Sequence, residues 1–401
     1  MPPRRAHKAT LHSRTWSSNF HFMTSRALLG PADVTDEEMA SMVASLLGET
    51  QVKVVDVDVT PVDYAIPSIT TAGRHWVRGH AATATGLTPF SMFVKQVQCW
   101  SRSEYFAPVP PEIRDMAAAS VPWRTEPLVY RSDLRDRLPQ GLSMPTLLGV
   151  FDLDECSASI WLGEVEPHVW PWDLERYGRA AYLLGRLAAS PTVAPLADLG
   201  NRRAWSVRAY FEGRLRHQVM PMLDDDNLWA HPLLAGPFGP DLRSRLREAA
   251  TQAERWVEEL ESAPQLSGHG DACPNNLLST PDKDNFVVID FGFWQPAPLA
   301  FDLGQLVLGE VQLGRRPAAT LAQTDAVVIP RYAEGLAAEG VVVDTSLIAR
   351  LHALQMLIYT GLSSIPFEHL DGALTPELLE LSADRAVLAT YCLDLVDSTG
   401  G

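Results

Sequence analysis

The sequence predicts an α+β fold in two lobes, a small antiparallel-sheet lobe followed by a larger helical lobe that carries one inserted hairpin. Three observations predict it. Apolar and polar residues alternate from Val52 to about Trp100, apolar residues recur at i, i+3 and i+4 through most of the chain beyond Pro171, and two short strand-like runs flank a Pro-, Asp- and Asn-rich turn within that helical part. At 401 residues the chain also exceeds the roughly 250–300 residues at which single cores stop growing. The expected boundaries are a disordered tail over 1–34, the sheet lobe over 35–163 and the helical lobe over 164–401.

The first 32 residues hold Arg and Ser but no acidic residue. That composition superficially resembles a transit peptide; the plainer expectation is a disordered tail, or a true start at Met23. "DVTDEEMASMVASLLG" has early acidic residues, helical apolar spacing and a closing Gly, which predicts a helix over Asp36–Leu47. Strands follow at Val52–Val59, in "RHWVRGHAAT" and in "PFSMFVKQVQCW". A helix is expected through "TEPLVYRSDLRDRL", then strands at "TLLGVFDLD" and "SASIWLGEVE". Beyond Pro171, "WDLERYGRAAYLLGRLAAS", "RSRLREAATQAERWVEELES" and "TSLIARLHALQMLIYTGLSSI" are helical in period. Between the second and third of these, "NLLST", "PDKDN" and "FVVID" spell a hairpin.

Composition narrows the function. With 46% hydrophobic and 20% charged residues the chain reads as a globular protein, and its net charge of -16 repels nucleic acid and favours a cationic small molecule. Cys99, Cys156, Cys273 and Cys392 form no C-x-x-C pair, which argues against a zinc site and a disulfide framework and for a reducing cytoplasm. No apolar run reaches the roughly 18 residues of a membrane span.

"GHGDACPNNLL" followed by "VVIDFG" concentrates His269, Asp271, Asn276 and Asp290 in a short span. Phosphoryl transfer to a hydroxyl needs a base at the attacking oxygen, hard oxygen ligands for magnesium and a cation on the non-transferred phosphates. Asp271 on a loop can take the hydroxyl proton, Asn276 can offer a carbonyl oxygen to the metal, and the hairpin returns Asp290 beside Asn276. Cys273 lies inside the loop with no base beside it and reads as a bystander.

These motifs resemble those of the aminoglycoside phosphotransferase and choline kinase family: "HGDACPNN" its catalytic loop, "VIDFG" its metal-binding segment, "FDLGQL" its aspartate-leucine segment. The resemblance extends from about Val52 to Glu310, with its specific motifs between His269 and Asp302. It implies a two-lobed protein-kinase-like fold, ATP and Mg2+ as cofactors, Asp271 as catalytic base, Asn276 and Asp290 as metal ligands, and His269 and Asp302 as supports of the catalytic loop.

Lys8, Lys53, Lys95 and Lys283 are the only lysines, and Lys95 stands in the middle of an apolar strand, where an unpaired amine would be costly. It resembles the kinase lysine on the α- and β-phosphates. Its helix partner is expected to be Glu126, because Thr125 and Pro127 make a good helix start, with Glu112 as the alternative. The phosphate loop lacks G-x-G-x-x-G, so backbone amides from Ser68 to Gly73 are assigned that role. Backbone groups near Glu164 to Glu166 are expected to read the adenine. For the acceptor, Asp224, Asp225 and Asp226, Glu310 and Trp294 are weaker candidates; the acidic cluster reads first as a solvated loop.

The reading is a small-molecule kinase, an alcohol-group phosphotransferase of antibiotic resistance or of metabolism. Its acceptor is a hydroxylated compound, an aminoglycoside or a metabolite, cationic in the case the charge favours. A protein kinase is disfavoured by H-G-D in place of H-R-D and by the lack of A-P-E. A silent nucleotide-binding regulator is disfavoured because Lys95, Asp271, Asn276 and Asp290 are all present.

Overall fold

The computed structural model describes residues 25–63, 68–107, 109–166, 168–200 and 206–400. Met23 and the rest of 1–24 lie outside the described residues. Within the segment expected as a disordered tail, 25–34 is instead packed: Leu29, Ala32 and Val34 are buried, and Ser25 exchanges hydrogen bonds with the backbone of Val57 and Val59. The apolar side chains of "RALLGPADV" supply the reason, since they complete the cover of the sheet.

Helix α1 (Asp36–Leu47) starts on a reciprocal cap, Thr35 taking the Glu38 N–H while Glu38 reaches back to Thr35 N–H, and stops at Gly48. Strands β1 (Lys53–Pro61), β2 (Thr71–Thr83) and β3 (Gly86–Gln98) are followed by helix α2 (Thr125–Arg131) and strands β4 (Leu147–Asp154) and β5 (Ser157–Gly163). The antiparallel sheet has the order β1-β2-β3-β5-β4. Alternation divides its two faces. Val77, Met92, Val94 and Trp161 lie under α1 in a small core of their own, whereas Phe93, Ile160 and Leu162 join the large core of the second lobe.

The helix expected through 125–138 is broken. Ser132 is extended, its Oγ donates to Val129 O and accepts from Leu134 N, and a separate turn over Leu134–Arg137 follows. A serine that bonds its own backbone competes with helix continuation. Cys99 and Cys156 are joined in a disulfide, which corrects the expectation of unpaired cysteines. They are 57 residues apart in sequence, but the Gln98↔Ser157 register of β3 and β5 makes them neighbours.

The second lobe is helical: α3 (Leu174–Ala189), a helical run over 207–224 with a π-helical stretch at Phe211–Val219, α4 (Pro240–Ser262), and, beyond the segment 265–298, α5 (Phe301–Gln312), α6 (Leu321–Ala338), α7 (Thr345–Met356) and α8 (Pro376–Thr399). Between α4 and α5 lie β6 (Gln265–Gly268), the hairpin β7 (Leu277–Ser279) and β8 (Phe286–Val288), and β9 (Gln295–Pro298), which pairs with β6. The fold is α+β, as the periodicities predict, and among the described residues no helix is long and apolar enough to cross a membrane.

Candidate active site

Strand β6 delivers the chain to His269, Gly270 and Asp271. Buried Asp302, in the first turn of α5, accepts the N–H groups of His269 and Gly270, each at 2.8 Å, and so fixes the loop's backbone. Fully buried His269 has its Nε2 2.9 Å from Ile289 O and its Nδ1 3.3 Å from Asp271 N. Donation from Nε2 and acceptance at Nδ1 make it a neutral imidazole, and burial lowers its pKa in agreement. Gly270 has φ +84, and a Cβ there would lie 2.2 Å from Phe293 O. Only glycine fits both demands.

Asp271 is half-buried. Its Oδ2 and its carbonyl oxygen accept from Asn276 Nδ2, at 2.9 and 2.8 Å. Burial, and then the charge of Asp290, push its carboxyl up to about 7. A base with that affinity suits proton transfer near neutral pH. Cys273 is held against Gly309 of α5, and burial pushes its thiol up to about 12, the property of an inert sulfur.

The hairpin performs the return that the sequence suggests. Leu277 pairs with Val288, and Ile289 N donates to Asn276 O at 3.1 Å, which brings Asp290 alongside Asn276. With Nδ2 committed to Asp271, Asn276 keeps its amide oxygen for another partner. One carboxylate and one amide carbonyl, both hard oxygen donors, fit magnesium, which retains waters and phosphate oxygens for its remaining positions.

Asp290 also joins the two lobes. Lys95 Nζ of β3 lies 2.6 Å from Glu126 Oε2 of α2 and 2.9 Å from Asp290 Oδ1. Burial opposes the ammonium, but the two carboxylates outweigh it and raise its pKa. Burial likewise opposes Asp290, yet the Lys95 charge and hydrogen bond hold its carboxyl below the usual range. Glu126 is therefore the glutamate that meets Lys95; Glu112 is exposed in a short turn. Phe291 locks the assembly, its ring 5.9 Å from Tyr130 of α2 and 5.0 Å from His269.

Other expected residues fall elsewhere. Gly73 is inside β2 opposite Gln96 rather than in a loop, because the strand begins at Thr71; Ser68 precedes it, with its Oγ bonded to Thr71. Glu164 donates its N–H to Ser91 O and gives its side chain to Arg78, so that N–H is not available to adenine. Glu166 is exposed, 3.9 Å from His168. Trp294 is core, its Nε1 bonded to Leu196 O. Asp225 caps the N–H of Asn227 and Asp226 pairs with Arg247, the solvated-loop outcome. Glu310 pairs with Arg315, which also reaches Asn275 of the catalytic loop.

Arg74, Trp76 and Arg78, which the sequence reading did not single out, alternate along the face of β2 turned away from α1. Trp76 meets Phe93 edge-on at 5.2 Å, and Arg78 lies over Trp76 while bonding Ser91 and Glu164. The alternation in "RHWVR" was the available signal.

Residues 145–338 match the model of the APH family, described as a phosphotransferase enzyme family. No curated protein matches the chain. Among solved structures, an aminoglycoside phosphotransferase from Alicyclobacillus acidocaldarius superposes with a TM-score of 0.50 at 16% identity, over 84% of this chain and 96% of that one. A choline kinase from Cryptosporidium parvum gives 0.48 at 13% identity, over 85% and 89%. An amicoumacin kinase solved with AMP-PNP, Ca2+ and Ami gives 0.47 at 10%, over 90% and 94%. At such identity the first of these likenesses speaks to the fold alone. The match to the phosphotransferase enzyme family over 145–338 spans the segment that carries Asp271, Asn276, Asp290 and Asp302, and the chain has a kinase-like two-lobed fold.

Proposed function

We propose that the chain transfers the γ-phosphate of ATP to a hydroxyl group of a small molecule, with Asp271 as the base. The observation that carries this reading is the convergence of Lys95, Glu126 and Asp290 across the lobes, with Asp271 and Asn276 on the adjoining loop. Asp271 receives the proton of the acceptor hydroxyl while Asn276 holds its carboxylate in place. Lys95, steadied by Glu126, engages the non-transferred phosphates. His269 and Asp302 keep the loop rigid so that little reorganisation is needed at reaction. Asn276 and Asp290 would hold Mg2+, which when bound neutralises charge on the phosphate oxygens. Ser68 stays a candidate phosphate contact, and the backbone beyond Glu164, toward Glu166, a candidate for the adenine. Use of ATP agrees with a cytoplasmic setting, against which the Cys99–Cys156 disulfide counts, and the acidic chain favours a cationic acceptor such as an amine-bearing antibiotic.

Transfer of γ-labelled phosphate from ATP with magnesium tests this on aminoglycosides, peptide and nucleoside antibiotics, choline and amino alcohols, with a generic protein as control. Label is expected on one small-molecule class, with turnover reduced about 100- to 10,000-fold in Asp271→Asn. Label on protein alone would replace the reading with a protein kinase. An Asp271→Asn variant as fast as the parent would remove Asp271 as base.

A further inference from the structure

Lys95 directs its ammonium at two carboxylates, Glu126 and Asp290, 2.6 and 2.9 Å away. An ammonium has three donors, so one is left for a nucleotide. A polyphosphate entering such surroundings benefits from a second fixed cation, and β2 supplies one. Arg74 is the cross-strand partner of Lys95 in the β2–β3 ladder. Directly opposed residues of an antiparallel pair project from the same face. That face is the one shared with Trp76 and Phe93 and turned away from α1, since the reverse face, with Val77, Met92 and Val94, is covered by α1. Arg74 thereby stands beside Lys95, directly across the ladder from it. Its Nη2 lies 3.4 Å from Thr71 Oγ1, where β2 begins.

On the kinase reading above, we propose that Arg74 is a second phosphate-binding cation, whose guanidinium engages the nucleotide polyphosphate beside Lys95. A guanidinium stays charged at every working pH and grips phosphate oxygens with two parallel donors. The chain lacks a G-x-G-x-x-G loop, and a side chain at this strand position supplies from the sheet what glycine-loop amides would supply from above.

The test measures binding of adenosine, Mg-ADP and Mg-ATP to the full chain, to Arg74→Gln and to Arg74→Lys by calorimetry, with melting temperatures alongside. In Arg74→Gln, Mg-ATP affinity is expected to fall about 10- to 100-fold while adenosine affinity stays within about twofold; Arg74→Lys restores part of the loss, a lysine keeping the charge without the fork. Equal losses for adenosine and ATP, with a lowered melting temperature in both variants, would assign Arg74 to the scaffold and overturn the proposal. Unchanged ATP affinity in Arg74→Gln, beside a parent that prefers ATP to adenosine, would overturn it and leave the kinase reading intact. A parent with no preference for ATP over adenosine would bring down both.

Discussion

At Asp290 the backbone enters the left-handed region, φ 61° and ψ 62°, which costs a residue bearing a Cβ about 1–2 kcal/mol. The contact with Lys95 and the packing of Phe291 hold it there. Asp271 carries a different load, a carboxyl whose folded-state pKa is near 7 against an ordinary value of 3.8. A raised folded pKa contributes stability that is complete below the unfolded value and is lost as pH rises through about 7. Without added metal or nucleotide, Asp271→Asn is therefore expected to melt higher than the parent, by a margin that grows from pH 5.5 to pH 8.5. Scanning calorimetry at the two pH values checks it, and a margin that shrank would contradict the burial argument. Most of these residues were legible in the sequence because catalytic loop, hairpin and aspartate segment follow one another along the chain, and because lysine is rare. Arg74 was not, since alternation sorts β2 into two faces without saying which one α1 covers. Cys99 and Cys156 were missed for a related reason: their pairing depends on the register of β3 and β5, which lies in no local pattern.

Helices α3 and α6 cross with their backbones in contact. A Cβ on Gly185 would lie 2.3 Å from Tyr332 O, and one on Gly335 would lie 2.0 Å from Tyr182 O. Neither neighbour is a flexible side-chain end, so an added methyl must separate the helices. Gly335→Ala is expected to lose about 1–3 kcal/mol of stability, as overpacked cores do. Urea denaturation measures it; a loss below about 0.5 kcal/mol, the size of an ordinary surface change, would show that the crossing relaxes freely. Elements of strong period, α1, β1 to β3 and α3, were legible almost to their ends. The interruption at Ser132 was harder to foresee, because its hydroxyl diverts backbone bonds within an otherwise helical apolar pattern.

At the scale of the whole molecule, charge ties the sheet to the helices at Lys95 and Asp290. Lys95 comes from the first lobe, Asp290 from the second, and their charged groups lie 2.9 Å apart. Glu126 and Phe291 extend the tie into α2 and the catalytic loop. The two-lobe division itself was legible from the change of period near Pro171, whereas a tie between residues 195 positions apart follows from tertiary packing alone. Folding has thus already met the entropic cost of gathering these groups, and nucleotide capture has little left to rearrange. Association should then be a single kinetic step. In stopped-flow mixing, the observed rate is expected to climb in proportion to Mg-ATP concentration. A plateau would reveal a slow opening or closing of the lobes that the preformed tie argues against.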